Sequence, residues 1–491
     1  MLEGLGEVQP GYYLYNGAPT IARGRIVLGG TVIDNQFWGE PSGVIRALDA
    51  VSGELVWAYD VGRPDRIGAP EPGEIYTPGT PNSWAQMAND DQLGLIYVPT
   101  GNTTPDYFGA QRRPFDEEIT SAIMALDIET GRRRWLFRTL HHDVWDYDVA
   151  SQPVLVDLPD GKGGILPVLI QPTKRGELFM LDRRTGEPVA EVEERLVPQA
   201  GAVPEERLSL TQPFSGGLPS LAGEPLHEAA MWGLTPFDQM WCRIKFREAR
   251  YDGTLTPPGL QPMIQYPGYL GGMNWGSVSV DTRHGILIAV TNYIANYMRL
   301  VTREEADAAG AVPMGEKRPG LSAFMGILAQ EGLPYAATTR LFMSPLDVPC
   351  QQPPWSRITA IDLVKREVLW SQPLGSGEEA GPLGLKSRLP LKVGVPAVGG
   401  ATLTAGGVTF VGASVDKTLR AFETATGKLL WEFKLPESAN ATPSTYWSEK
   451  SGRQFVVVAA GGHRSIAMAS KNVDDIVAFA LPKEVVKGEG E

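Results

Sequence analysis

Cysteine is nearly absent: Cys242 and Cys350 are the only two in 491 residues. That excludes a disulfide-stapled scaffold and a Cys-rich zinc site. An excess of positive charge is also missing. The 44 Lys and Arg against 57 Asp and Glu give a net charge of −13, so the chain lacks the clustered cations that tracking a phosphate backbone requires, and nucleic acid is excluded as a partner. The first residues, MLEGLGEVQPGYYLYNG, have neither a basic n-region nor an apolar h-region, so no export signal is read there. Long apolar runs are few. The longest uncharged stretch near the C-terminus, Val393 to Val415, is long enough to span a bilayer. It holds Pro396 and repeated glycines, and so reads as two buried strands joined by glycine turns.

What is abundant points to sheets. Gly (56) and Pro (40) together make up nearly a fifth of the chain, too much turn chemistry for a helical bundle. Hydrophobic residues at 43% against 21% charged supply a large core and exclude disorder. A unit recurs along this background: RALDAVSGELVWAY ending at Tyr59, MALDIETGRRRWLF at 124–137, TAIDLVKREVLWSQ at 359–372 and RAFETATGKLLWEF at 420–433. In each, an acidic residue (Asp49, Asp127, Asp362, Glu423) precedes a tryptophan (Trp57, Trp135, Trp370, Trp431) by eight positions. A weaker copy around Asp182 and Gly186 lacks the tryptophan. The pattern is a hairpin: an apolar strand ends at the acidic residue, whose carboxylate bonds turn amides, and the returning strand sets Trp against a neighbour.

Repeats of roughly sixty residues, each unable to bury its faces alone, predict a β-propeller. Further apolar strand pairs at 277–290 and near the C-terminus bring the count to six to seven blades within a single domain, 1–491. Two stretches read as long inter-strand excursions instead. One is 194–267, rich in Pro and Gly; the other is 302–349, with a helical REEADAAGA piece.

The Trp-bearing repeat, together with TLHHDVWDYDVASQPVL (139–155) and PTKRGELFMLDRRTG (172–186), resembles the quinoprotein dehydrogenases of the membrane-bound glucose, quinate, shikimate and polyol type. VIDNQFWGEPSGVIRALD, TPNSWAQ, GNTTPD, TQPFSGG, MWGLTPFDQMWCR, VPCQQPPW and AAGGHRS carry the likeness along nearly the whole chain in one order. The resemblance implies an eight-bladed all-β propeller holding pyrroloquinoline quinone (PQQ) and a divalent cation, Ca²⁺ by preference, with Mg²⁺ or a lanthanide as alternatives. It implies oxidation of a sugar, cyclitol or polyol hydroxyl, ubiquinone as acceptor, and a periplasmic, inner-membrane-associated setting. In such relatives membrane helices and further propeller chain precede the match to VIDN, so this chain is expected to be N-terminally incomplete relative to them.

Alcohol oxidation by a quinone needs a base for the hydroxyl proton and positive charge to polarise the quinone carbonyl. By resemblance the base is Asp146 of the Trp-Asp pair, and the cation beside the quinone is Lys174, 28 residues on. Trp84 matches the tryptophan that stacks on the quinone, and Asn274 and Trp275 line its cavity. Hard oxygen ligands suit the cation: Asp34 and Asn35, Asp146, and either Asn102 or Thr104, since relatives use one or the other and this chain has both. Asp148, a second carboxylate in the WDYD run, is also what lanthanide-dependent enzymes carry. His463 either faces substrate or caps a turn. Arg243 either meets a substrate carboxylate or is a surface cation. His141 and His142 are not expected to form a metal pair, because adjacent side chains diverge on a strand. Cys242 and Cys350 are expected to pair if the protein is exported. The other class of reading is a non-catalytic propeller scaffold that binds a protein partner.

Overall fold

A computed structural model describes residues 3–33, 36–312, 326–379, 381–462 and 473–482. Asp34, Asn35 and His463 lie outside them. The chain divides into two compact units. One comprises 1–274, 294–344 and 349–351, and the other 275–293, 345–348 and 352–491.

The blade-like sheets of both units are antiparallel, and their strands follow one another in chain order. In the first unit these sheets are Thr20–Ala22, Arg25–Leu28, Ile45–Asp49 and Leu55–Tyr59; Ala88–Asp90, Leu95–Pro99, Ala122–Asp127 and Arg133–Arg138; and the three strands Val154–Pro159, Ile165–Pro172 and Leu178–Asp182. The second unit has Val278–Asp281, Ile286–Asn292, Ser356–Asp362 and Glu367–Pro373; Ala401–Leu403, Val408–Val411, Thr418–Glu423 and Leu429–Lys434; and the three strands Ser444–Ser448, Arg453–Ala460 and Asp475–Phe479. The class is all-β, as expected, with six blade-like sheets among the described residues. The uncharged stretch 393–415 supplies two paired strands, and no helix among the described residues is long and apolar enough to cross a membrane.

The repeated hairpin has a concrete mechanism. One carboxylate oxygen of Asp49 accepts the amides of Val51 and Ser52 at 3.0 and 2.9 Å, and Asp127 does the same for Glu129 and Thr130 at 3.1 and 2.9 Å. Each tryptophan pairs with an alanine on the strand before it: Ala47 with Trp57, Ala125 with Trp135, Ala360 with Trp370 and Ala421 with Trp431. The indole then bonds across to the next sheet. Trp57 Nε1 donates to the Ile128 carbonyl at 2.8 Å, Trp135 to Arg183 at 3.2 Å, and Trp370 to Thr424 at 3.0 Å. The turn glycine of the receiving hairpin is fixed twice over. Gly131 sits at φ +69°, and a Cβ there would lie 2.6 Å from the Trp57 ring. The backbone conformation and the indole both demand that it have no side chain.

In the first unit the excursions have structure of their own. Residues 194–267 include most of a hairpin of Val192–Leu196 with Thr211–Ser215, and a helix, Pro236–Glu248, capped by the Thr235 hydroxyl accepting the Asp238 amide at 3.1 Å. Met263–Gln265 joins Asn296–Thr302, Tyr335–Leu341 and Ile327–Leu328 in a sheet whose strands do not follow chain order. Cys242 of the helix Pro236–Glu248 forms a disulfide with Cys350, Cα to Cα 5.3 Å. Apolar side chains of both excursions, among them Val203, Leu255, Met263, Leu328 and Leu333, bury Leu140, Val144, Trp145 and Tyr147 of the WDYD segment in one cluster. That segment has neither strand nor helix, so its position is set by what it touches.

Candidate functional site

Asp143, fully buried, organises the WDYD turn. Its carboxylate accepts the amides of Trp145 at 2.8 Å and Tyr147 at 2.9 Å and the Ser121 hydroxyl at 2.6 Å. Burial nevertheless outweighs these donors and pushes the carboxyl above its ordinary range. Trp145 is pinned beside it: its indole donates to the Thr256 carbonyl at 2.8 Å, and its own carbonyl accepts Gln265 Nε2 at 2.7 Å. The Tyr147 hydroxyl donates to the Pro267 carbonyl. With both flanking residues tied, Asp146 takes a left-handed φ of +59°. Asp tolerates this better than most residues, but a non-glycine residue persists there only when its surroundings over-determine it.

The Asp146 carboxylate faces Lys174 and Tyr107. Lys174 Nζ donates to Asp146 Oδ1 and to the Asp146 carbonyl, both at 2.9 Å, and Tyr107 OH lies 3.3 Å from Oδ2. Lys174 is 4% exposed. Burial alone would lower its affinity for a proton, but Asp146 and Asp148 outweigh that and hold the ammonium well above the ordinary lysine range. It is therefore a permanent cation.

Asp148 has a different task. Its Oδ2 accepts Trp84 Nε1 at 2.8 Å, and its Oδ1 accepts the Asn102 amide at 2.6 Å. The half-buried Trp84 ring is thus held by its edge, with Lys174 Nζ 6.0 Å from the ring centroid. The GNTTPD loop is buried beside it. Asn102 Oδ1 accepts the Thr103 amide at 2.8 Å and the Thr120 hydroxyl at 3.0 Å, while its Nδ2 donates to the Asp106 carbonyl at 3.1 Å. The Thr104 hydroxyl donates to Glu40 Oε2 at 2.7 Å, and both residues are fully buried. Two buried oxygens here, Asn82 Oδ1 and Thr103 Oγ1, have no hydrogen-bond partner. Asn82 lies against Gly101, whose notional Cβ would also sit 3.6 Å from the Asp148 carboxyl carbon.

The structure therefore brings together Trp84, Asn102, Asp146 and Lys174, with Thr104 one loop step away. Asn274 is buried in the same unit, its carbonyl accepting the Ser151 hydroxyl at 2.8 Å. Trp275 belongs to the other unit, where its indole donates to the Asn440 carbonyl at 3.3 Å. Arg243 is not drawn into the cluster: it lies on the helix Pro236–Glu248, half-exposed, with its guanidinium on Glu228 at 2.6 Å. His141 and His142 diverge, as expected, His141 toward Glu194 and His142 toward Glu117 and Glu206. Among the described residues no three His, Cys, Asp or Glu side chains converge as a ligand set. Sequence reasoning misses Asp143, Tyr107 and Glu40. Only Asp143 leaves a signal, an acidic residue two positions before Trp145 in the manner of a turn-capping Asp.

A flat indole beside a buried ammonium suits a planar anionic ring system, and unpartnered buried oxygens suit a hard cation. The site's residues thus fit a quinone cofactor with a metal ion. Comparisons with known proteins identify the family. The family described as "PQQ: Glucose/ethanol/alcohol dehydrogenase, beta-propeller domain" matches residues 1–456. The glycerol dehydrogenase large subunit of Gluconobacter oxydans (strain 621H) is 46% identical over 98% of this chain and 65% of its own length. The quinate/shikimate dehydrogenase (quinone) of Acinetobacter baylyi is 40% identical over 98% and 59%. The quinoprotein glucose dehydrogenase of Escherichia coli (strain K12) is also 40% identical over 98% and 59%. The chain thus spans less than two thirds of the length of these relatives. Among solved structures, quinohemoprotein alcohol dehydrogenase from Comamonas testosteroni superposes with a TM-score of 0.59 at 22% identity, covering 94% of this chain and 59% of that one, a likeness of fold.

Proposed function

We propose, from the premise that this chain belongs to the PQQ-dependent glucose, quinate and glycerol dehydrogenase family, that it oxidises a hydroxyl of a polyol, sugar or cyclitol and passes the electrons to ubiquinone. The observation that carries the reading is the Asp146–Lys174 pair beneath Trp84: a carboxylate beside a buried cation, next to an aromatic platform. PQQ, when bound, supplies the two-electron oxidant. Trp84 offers it a stacking face, Lys174 a fixed positive charge, and Asn274 a buried polar wall. Asp146 takes the substrate hydroxyl proton, its carboxylate held against the Lys174 ammonium at 2.9 Å.

The donor geometry favours Thr104 over Asn102 as a cation ligand. Both acceptor positions of Asn102 Oδ1 are filled by protein donors, whereas Thr104 gives its hydrogen to Glu40 and keeps oxygen lone pairs for a cation. Asp34, Asn35 and Asp146 complete the proposed set. Asp148 has an oxygen each on Trp84 and Asn102, which supports Ca²⁺ or Mg²⁺ over a lanthanide that would need Asp148 as a ligand. The relatives' names support polyhydroxylated substrates and a quinone acceptor. The Cys242–Cys350 disulfide supports an oxidising compartment such as the periplasm.

The test is reconstitution of the full-length protein with PQQ and Ca²⁺, followed by dye reduction with glycerol, glucose, quinate, shikimate, inositol, ethanol and methanol. Polyol or cyclitol turnover, abolished by chelator and restored by Ca²⁺ or Mg²⁺, is expected. Faster turnover of ethanol or methanol than of every polyol would overturn the substrate class.

A further inference from the structure

His142 lies outside the cofactor-facing cluster, yet both of its ring nitrogens are tied down beside the turn that carries Asp146. Its side chain is 11% exposed. Nδ1 lies 3.0 Å from Glu117 Oε1, and Nε2 lies 2.8 Å from Glu206 Oε1. Glu117 belongs to a short helix, Pro114–Ile119, and Glu206 to the excursion 194–267. The Glu206 side chain is 4% exposed, and its second oxygen accepts the Gly109 amide at 2.8 Å. Gly109 follows Tyr107, whose hydroxyl meets Asp146, by two residues. A Cβ at 109 would sit 2.4 Å from His142 Cε1, so the ring occupies the space a side chain would need.

Two carboxylates on the two ring nitrogens impose a protonation state. A neutral imidazole has one N–H and one lone pair, and that lone pair would face an acceptor; only the imidazolium donates on both sides. The backbone agrees that the placement is imposed, since His142 holds a left-handed φ of +48°.

We propose that His142 is a positioning residue for Asp146: as an imidazolium bridging Glu117 and Glu206, it clamps the base-bearing turn to the 104–109 loop and the excursion, and losing that charge slackens the turn. The inference rests on the reading of Asp146 as the base. The groups facing the ring are Glu117 from the short helix, Glu206 from the excursion and the Arg112 guanidinium from the intervening loop. Burial favours the neutral ring and Arg112 does too, but the two carboxylates prevail and raise the histidine above its ordinary range, while the histidine in turn lowers both glutamates. A raised value means that the clamp is complete below about pH 6.5, the ordinary histidine value, and fails as pH rises through the elevated one.

Two measurements on the full chain test this, with His142→Gln and Glu206→Gln as variants. The first is amide hydrogen exchange over 143–148, which needs neither cofactor nor turnover. Both variants should lose protection there at pH 6, and the wild type should keep it at pH 6 and lose it only as pH rises above the ordinary histidine value. The second is the pH profile of kcat after loading with PQQ and Ca²⁺. His142→Gln should lower kcat by about 10- to 100-fold, the order that a small misplacement costs, with KM nearly unchanged and the wild type's decline with rising pH missing. If His142→Gln does not fold, Glu206→Gln should still shift that decline to lower pH. Exchange at 143–148 unchanged in a folded variant, or reduced protection with kcat and its pH profile unaltered, overturns the proposal. If the loaded wild type oxidises no alcohol, the proposed function fails, and the exchange data still decide whether His142 holds the turn.

Discussion

The chain uses aspartate as a turn-maker in two places that look alike in sequence and differ in consequence. In the hairpins, Asp49 and Asp127 cap amides two and three residues on, at the protein surface, and the turn after Asp127 ends in a glycine packed on an indole from another strand. In the WDYD turn, Asp143 caps amides two and four residues on while fully buried, and the residue skipped between them is Asp146. A carboxylate consumed by its own turn is structural. A carboxylate lifted out by a neighbour's capping is available to a ligand. The difference lies not in the residue type but in which acidic residue satisfies the amides.

The sharpest way to break this comparison is Asp146→Asn. It keeps the shape, the Tyr107 contact and the capping by Asp143, but removes the group that takes a proton. Dye reduction should fall by about 10²- to 10⁴-fold with PQQ binding retained, measured by quinone absorbance on the purified protein. Turnover above half of wild type would make Asp146 one more structural turn residue.

Next in size is the hairpin side of the comparison. Trp57 is 1% exposed, bonded to Ile128 and stacked on Gly131, whereas Trp431, the same repeat position, is 38% exposed and touches Phe433 and Phe479. Trp57→Ala should cost about 3–5 kcal/mol as a core aromatic deletion, and Trp431→Ala on the order of 1 kcal/mol, the centre of ordinary point-mutant values. Both are read by chemical unfolding of the first and second units respectively. Equal costs would mean that the repeat stabilises each hairpin on its own, not through the joint with the next sheet.

Much of this architecture is legible in the amino-acid sequence. The eight-residue spacing of acid and tryptophan specifies the hairpins, because period-two strands and a glycine turn are local properties, and the 28-residue spacing of Asp146 and Lys174 corresponds to a contact of 2.9 Å. What the sequence hides depends on contacts far apart along the chain. Asp148 binds Trp84 across 64 positions, Thr104 binds Glu40 across 64, and His142 binds Glu206 across 64. Nothing in the neighbourhood of any of these residues announces its partner. The excursions read as polar insertions between strands, yet their apolar minority buries the turn that carries Asp146, because burial in a loop follows no period that a sequence pattern displays.

Asp143→Ala probes the buried turn from its scaffold. The variant strands the Trp145 and Tyr147 amides and the Ser121 hydroxyl away from water, each a group whose loss of a partner costs about 1–3 kcal/mol when it stays dry. A loss of about 3 kcal/mol in unfolding free energy and on the order of tenfold or more in kcat is expected, since Asp146 no longer has its left-handed conformation enforced. Loss of stability with full turnover would detach the conformation of Asp146 from its capping neighbour.

The smallest expected effect is the control for that experiment. Asp127→Ala removes the same kind of cap, two amides and the Thr130 hydroxyl held by one carboxylate oxygen, from a hairpin whose tip is exposed. Water replaces the lost acceptor there, so the cost should be about 0.5–1 kcal/mol, near the net worth of a single hydrogen bond. Turnover per folded molecule should be unchanged, because Asp127 ends the strand Ala122–Asp127 at the end away from Ser121, the residue whose hydroxyl meets Asp143. The informative quantity is the difference between the two alanine variants. If Asp127→Ala destabilises as much as Asp143→Ala, burial is not what separates the two turns, and the WDYD segment owes its geometry to the packing of Trp145 and Tyr147 instead.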